Sequence, residues 1–168
     1  MKILYFALGG RGGSDKALTD LLSVLTRDYD VEPLVVCCMT GIIPELQRLN
    51  IPYRQYSFEW ALCPLTNTLK DKILYVPRRL KAMIKRKIDQ RQLQKLVKEF
   101  QPDIIHSNVG VINIGFYLGK KTGTPHIWHL REYQYLYPGL RYIWGLRNLR
   151  KFIEKNRYNI GTILRLFF

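Results

Sequence analysis

The apolar positions of the first part of the chain form short continuous runs that alternate with a helical pattern. Lys2–Leu8 and Val31–Met39 are apolar runs of strand length, and such runs are typical of buried strands in a parallel sheet. Between them, apolar residues recur at the i, i+3, i+4, i+7 spacing of one helical face from position 16 to 26. Ser14 or Asp15 is expected to cap this helix.

The same alternation continues to residue 130. Pro44 is expected to open a short helix, and Ile51–Tyr56 is a predicted strand. Pro102–His106 is a strand with a proline at its entry, Ile112–Lys121 is a helix, and His126–Leu130 is a further strand. Alternation of short buried strands with helices predicts an α/β, Rossmann-like fold, with a mostly parallel sheet and helices on both faces.

The longest predicted helix, Arg78–Phe100, has an apolar face that changes direction. We expect most of the preceding segment, Ser57–Pro77, to be a loop, since it lacks a clear period. Leu80 and Ile84 share one side of the helix, whereas Leu93 and Val97 lie on roughly the opposite side at 100° per residue. The helix should therefore be kinked or contact two different partners.

Composition excludes several classes of protein. The 168 residues are 47% hydrophobic, which is too apolar for a disordered chain. No run approaches the roughly 20 apolar residues that a membrane-spanning helix needs, so a cytoplasmic protein is expected. Cys37 and Cys38 are adjacent and Cys63 stands alone, which indicates reduced thiols without metal-ligand spacing. We expect no metal and no cofactor.

The net charge of +14 is concentrated in two segments. Residues 70–99 contain eleven basic and three acidic side chains, and residues 131–168 contain eight basic and two acidic ones. The remaining residues are close to neutral. The sequence therefore describes a near-neutral scaffold that carries two basic surfaces.

A glycine-rich turn, Gly9-Gly10-Arg11-Gly12-Gly13, joins the first strand to the first helix. At the carboxyl end of a parallel sheet, such a turn can present backbone amides to a phosphate or another anion. The spacing does not match the dinucleotide fingerprint, because Asp15 stands where its last glycine would be if the motif began at Gly10. A tight turn without a ligand is the alternative.

Polar side chains follow the later strands, and ligands of open α/β sheets bind at the carboxyl ends of strands. The alternative for each histidine is a structural, hydrogen-bonded role. No spacing identifies a catalytic triad or a metal site. The candidate site residues are His106, Ser107, Asn108, His129, Arg131 and Glu132.

These features together resemble a known family. The segments KILYFALGGRGGSDKALTDLLSVL, PDIIHSN and GTPHIWHLREY, followed by a basic helical segment, are similar to the amino-terminal domain of family 4 retaining glycosyltransferases of the GT-B fold. The resemblance covers residues 1–157, which are expected to form this domain. The apolar tail, residues 158–168, is expected to mark a truncation, with the carboxyl-terminal half of the GT-B fold absent.

The resemblance implies the acceptor-binding half of an enzyme that transfers a sugar from a nucleotide-sugar donor to a glycan or lipid-linked acceptor, with retention. Gly12 and Gly13 would lie near the donor diphosphate, and His129 would be catalytic, near the transferred sugar. Arg131 and Glu132 would be its loop neighbours. Donor binding would require a second domain, so the chain alone is expected to be an incomplete catalyst.

The first basic segment has an amphipathic pattern suited to an anionic membrane surface. We therefore expect the protein peripherally on the inner face of the membrane, and the resemblance implies a role in cell-surface polysaccharide or glycolipid synthesis. The alternative is a solvated helix face, and sequence-specific nucleic-acid binding is not expected because no recognition motif is present. A non-catalytic binding module for a phosphorylated ligand or a membrane is the alternative function. The expected membrane-facing residues are Arg78, Arg79, Lys81, Lys85, Arg86 and Lys87.

Overall fold

A five-stranded, all-parallel sheet forms the centre of the protein, with strand order β3-β2-β1-β5-β6. The computed structural model describes residues 1–63, 68–130 and 141–142. Strands β4 and β7 are two residues long and pair antiparallel with each other. The strands are β1 (Lys2–Ala7), β2 (Glu32–Cys37), β3 (Tyr53–Gln55), β4 (Leu62–Cys63), β5 (Ile104–Ser107), β6 (His126–Trp128) and β7 (Arg141–Tyr142).

Helices cover both faces of the sheet, as the alternating pattern predicts. On one face, β1 side chains such as Tyr5 pack with Leu18 of α1 and Leu46 of α2. On the other face, Phe6 belongs to a core that includes Leu93 of α4 and residues of α5. The helices are α1 (Gly13–Asp28), α2 (Ile43–Arg48), α3 (Leu69–Ile73), α4 (Tyr75–Phe100) and α5 (Ile114–Thr122). None of the described helices is both long and apolar enough to cross a membrane.

Two local expectations differ from the structure. Helix α1 is capped by the backbone of Gly12, without a side-chain cap, so the expected capping by Ser14 or Asp15 is wrong. Residues 57–77 contain helix α3 and the start of α4 as well as loop. Pro77 lies in the first turn of α4, where a missing backbone N–H leaves no intrahelical hydrogen bond unmade.

Helix α4 is continuous over 26 residues, yet its two halves have different surroundings. In the second half, Leu93 and Val97 are buried against the sheet. In the first half, Leu80 is 54% and Ile84 is 61% exposed. Among the described residues only the second apolar face is buried, so the second partner expected for the first face is not found there.

A buried carboxylate attaches the middle of α4 to the domain. Asp89, only 2% exposed, accepts hydrogen bonds from the Tyr56 hydroxyl at 2.9 Å, the Glu59 amide at 2.7 Å and the Lys85 ammonium at 3.0 Å. Burial, followed by the bond to Asp89, raises the pKa of Tyr56 to about 12. This network provides the partners that a buried charge requires.

Candidate functional site

The sheet has a topological switch point between β1 and β5. Strands β2 and β3 extend the sheet to one side of β1, and β5 and β6 extend it to the other. In open α/β sheets, ligands bind outside the carboxyl ends of the strands at this point. The glycine loop leaves β1 there, Asn108 follows β5, and His129 follows β6.

The first two glycines of the loop are used within the protein. The amides of Gly9 and Gly10 donate to the two carboxylate oxygens of Asp15, at 3.1 and 2.8 Å. Gly9 has φ +80°, and a Cβ there would collide with the Met39 carbonyl oxygen. These amides are therefore not offered to an external anion. Asp15 is an internal ligand of the loop that the sequence analysis did not identify.

The last two glycines are open. A Cβ on Gly13 would meet nothing within 4 Å, and one on Gly12 only the Ser14 hydroxyl at 4.0 Å. The Gly12 carbonyl accepts the first hydrogen bonds of α1, from Asp15 and Lys16, both at 3.0 Å. The backbone at the start of a 16-residue helix is thus accessible from outside, and the positive end of a helix dipole favours anions.

Asn108 connects the end of β5 to this helix. Its side-chain amide donates to the Ser14 carbonyl oxygen at 2.9 Å, and its own backbone amide donates to Phe6 at 2.9 Å. The residue is fully buried. Asn108 therefore fixes the position of the glycine loop relative to β5, and its side chain is not on the outer surface.

Two predicted site residues, His106 and His129, lie side by side at this edge. Their rings stack with centroids 5.7 Å apart, and His106 also contacts the ring of Tyr5 at 5.1 Å. His106 is buried, whereas His129 is half-buried. The backbone amide of His129 donates to Ser107 at 2.9 Å, which extends the strand pairing beyond β6 and fixes the position of the imidazole.

Ser107 forms a pair with His126, a contact that the sequence analysis did not predict. Its hydroxyl lies 3.0 Å from Nε2 of His126. Gly115 of α5 packs over the pair, since a Cβ there would come within 2.8 Å of the same nitrogen. Burial, and secondarily the proximity of His106, lowers the pKa of His126 to about 3. Because Ser107 has no exposed surface, this pair is structural.

The remaining predicted site residues have different placements. Arg131 and Glu132 lie outside the described residues. Lys85 and Arg86 face the domain, because the Lys85 ammonium is bonded to Asp89 and Arg86 donates to the Trp60 carbonyl at 3.3 Å. The side chains of Lys81 and Lys87 and the paired Arg78 are exposed, and Arg79 is half-buried.

The described residues show no cluster of metal ligands and no activated thiol. In this part of the chain, no group of three or more His, Cys, Asp or Glu side chains is placed to hold a metal ion. Cys37 and Cys38 are free thiols, and burial raises the pKa of Cys37 to about 11, so it is unreactive near neutral pH. A cavity of about 420 Å³ adjoins the loop, and its lining includes Arg11, Lys16 and Glu45.

Comparisons with known proteins identify the fold. No protein-family model and no curated protein sequence matches the chain. Among solved structures, HepE of Anabaena in complex with UDP-glucose is similar, with 20% identity and a TM-score of 0.50. The spinosyn rhamnosyltransferase SpnG, complexed with spinosyn aglycone, is similar with 16% identity and a TM-score of 0.50.

These matches involve most of this chain and a smaller part of the other proteins. They cover 79% of this chain and 29% of HepE, and 77% of this chain and 34% of SpnG. The chain therefore spans about a third of the length of these structures. It has a GT-B glycosyltransferase-like fold. At identities this low the likeness establishes the fold alone, and the family 4 subtype stays a prediction.

Proposed function

We propose that the chain is the acceptor-binding half of a retaining GT-B glycosyltransferase, which transfers a sugar from a nucleotide-sugar donor to a glycan or lipid-linked acceptor. The observation that carries this proposal is the convergence of an open loop backbone, Gly12 and Gly13, with the half-buried imidazole of His129 at one carboxyl edge. In the enzymes that the sequence resembles, this edge of the sheet faces the second domain.

The chemistry assigned to each group follows from its surroundings. The open start of α1 offers amide groups and a positive helix end, which would stabilise the charge that develops on a leaving diphosphate. The imidazole of His129, positioned by its own backbone bond to Ser107 and by the His106 ring, would contact the transferred sugar and the acceptor hydroxyl. Both groups would act together only in the presence of bound donor.

The donor would be held by a second domain, so the chain alone should not catalyse transfer. HepE and SpnG, of which this chain matches 29% and 34%, contain bound UDP-glucose and spinosyn aglycone in the structures compared. A radiolabel transfer assay with the purified 168-residue chain, nucleotide sugars and lipid-linked saccharides provides the test. We expect no transfer, and turnover by the chain alone would contradict the half-site assignment.

Acceptor binding supplies the positive test. A lipid-linked saccharide should bind the chain, and His129→Ala should weaken that binding by about tenfold or more, the value of one hydrogen bond to a charged or polar group. The control is Lys121→Ala, an exposed change on α5, which should leave binding unchanged. Equal effects of the two substitutions would remove His129 from the site.

A non-catalytic module for a phosphorylated ligand is the second candidate, because the open start of α1 suits any phosphate. It predicts that inorganic phosphate or a nucleoside diphosphate binds tightly while saccharides without phosphate do not bind. The glycosyltransferase proposal predicts that the saccharide acceptor binds as well, and that a nucleoside diphosphate binds only weakly in the absence of the second domain. We further propose that the protein works at the inner face of the membrane, in the synthesis of a cell-surface polysaccharide or glycolipid.

A further inference from the structure

The outward side of helix α4 carries a row of exposed apolar residues. Leu80, Ile84 and Ile88 follow one another at intervals of four and are 54%, 61% and 46% exposed. Residues at this spacing lie along one side of a helix. Val76 and Met83, 62% and 49% exposed, widen the row. A contiguous apolar patch of this kind marks an interaction surface, whereas scattered exposed leucines would not.

Helix α3 lengthens the apolar row. Leu69 and Ile73 are 75% and 68% exposed, and α3 leads into α4 through Leu74, which itself has helical backbone angles. The stretch from Leu69 to Ile88 covers about 30 Å at the rise of an α-helix. The seven apolar side chains named here are 46% to 75% exposed.

The same outward side becomes basic in the second half of α4. Lys87, Arg91, Lys95 and Lys98 recur at intervals of three or four and are all exposed. They continue the direction of the apolar row, because Ile84, Ile88 and Arg91 lie within one side of the helix at 100° per residue. The outward side is therefore apolar over one half of its length and cationic over the other.

The inward basic residues do not belong to this surface. The ammonium of Lys85 bonds to Asp89 and to the Ser57 carbonyl oxygen, and Arg86 donates to Trp60. Both side chains attach α4 to the domain. The structure thus separates the eleven basic residues of segment 70–99 into those that hold the helix in place and those that the helix presents to solvent.

We propose that the outward side of α3 and α4 docks on an anionic lipid bilayer, with the apolar row inserted at the level of the acyl chains and the cationic row on lipid phosphates. A bilayer satisfies both rows at once. Nucleic acid would leave the apolar row in water, and a second copy of the chain would leave the cationic row without counter-charge. The inference rests on the membrane location proposed above and names the surface that would make the contact.

Co-sedimentation of the 168-residue chain with vesicles tests the docking. Vesicles of phosphatidylcholine with about 30% phosphatidylglycerol should bind the chain, and pure phosphatidylcholine vesicles should bind it much more weakly. Arg91→Gln with Lys95→Gln should lower the affinity about 25-fold, because each cation near an anionic surface contributes about fivefold. The matched control, Lys120→Gln with Lys121→Gln, removes the same charge from exposed positions of α5 and should change affinity by less than about threefold.

The apolar row requires its own variant. Leu80→Ser, Ile84→Ser and Ile88→Ser together should abolish vesicle binding at moderate salt. The melting temperature should fall by only a few degrees, because about half of each side chain is already exposed. Three outcomes would each overturn the proposal: an equal loss of affinity in the Arg91/Lys95 and Lys120/Lys121 double variants, equal binding to neutral and anionic vesicles, or no binding to anionic vesicles. A dimer in sedimentation velocity that the triple serine variant dissociates, without vesicle binding, would assign the row to self-association. No sugar enters these assays, so their failure is separate from that of the proposed function.

Discussion

The carboxyl edge of the sheet and the residues packed beneath it contain two sets of groups with opposite character. The inner set is hydrogen-bonded within the protein and consists of Gly9, Gly10, Asp15, Ser107 and His126. The outer set is open or half-buried and consists of Gly12, Gly13 and His129. Both sets come from the glycine loop with the start of α1, and from strands β5 and β6 with the residues that follow them. The difference shows that neighbouring residues of one motif can have separate roles. Some are hydrogen-bonded within the protein and stabilise the edge, and others remain accessible to a ligand.

The largest effect is expected at Gly9. Substitution Gly9→Ala places a side chain at φ +80° and against the Met39 carbonyl, and should lower the free energy of unfolding by about 3–5 kcal/mol. Urea unfolding measures it. The control Gly12→Ala, at φ −74° with open space around its Cβ, should cost less than about 1 kcal/mol. Similar losses at both positions would remove the distinction between the two sets.

A smaller effect is expected at Asp15. Asp15→Ala leaves the amides of Gly9 and Gly10 without their carboxylate, and this should lower the free energy of unfolding by about 2–3 kcal/mol. Asp20, an exposed acid on the same helix, is the matched control, and Asp20→Ala should change stability by less than about 0.5 kcal/mol. An Asp15→Ala protein as stable as Asp20→Ala would show that the loop does not depend on the carboxylate.

The half-buried His126 of the inner set should make stability depend on pH. The folded pKa of His126 is about 3, below the roughly 6.5 of an unfolded chain, so the unfolded state binds the proton first as pH falls. Stability is therefore complete above about pH 6.5 and is lost toward pH 3, at about 1.4 kcal/mol per pH unit from this residue.

Urea unfolding of two variants isolates that contribution. His126→Gln should remove the contribution of His126 to the pH dependence. The difference in free energy of unfolding between this variant and the unmodified chain should therefore shrink as pH falls. Ser107→Ala should retain the dependence of stability on pH. Burial is the larger cause of the lowered pKa of His126, and the Ser107 hydroxyl is not among its causes. Parallel pH dependence of the unmodified chain and His126→Gln would contradict the assignment of His126 to the inner set.

The smallest effect on stability is expected at Gly13. A Cβ there meets nothing within 4 Å, and alanine restricts the unfolded chain, so Gly13→Ala should raise the free energy of unfolding by about 0.5 kcal/mol. The same methyl group would stand in the path of a ligand that approaches the start of α1. Binding of a nucleoside diphosphate should therefore weaken while stability does not. A stable variant with unchanged binding would exclude Gly13 from the site.

The sequence predicts the sheet and most helices because their apolar runs reflect burial directly. The runs at β1, β2 and β5 mark strands whose side chains fill both cores. It also brings Gly12 and His129 to one edge, since parallel strands share their carboxyl ends. These predictions need only the local periodicity of apolar residues and the alternation of strands and helices along the chain.

The remaining details depend on contacts between distant residues. Asp15 bonds to loop amides five and six positions earlier, which local capping rules do not include. Lys85 turns inward because Asp89 is buried on the same side of α4. The sequence pattern around Lys85 is equally compatible with a solvated helix face. The pairing of Ser107 with His126 depends on the register of β5 and β6, which composition cannot supply.

The most direct test of the account is a ¹⁵N-labelled titration of the 168-residue chain with a nucleoside diphosphate and with a lipid-linked saccharide. If the outer set is the ligand site, the amide signals of Gly12, Gly13 and His129 will shift and saturate. The signals of Gly9 and Gly10, bonded to Asp15, will change much less. Shifts confined to the inner set or to the opposite edge of the sheet, or no shift with either compound, would contradict the account.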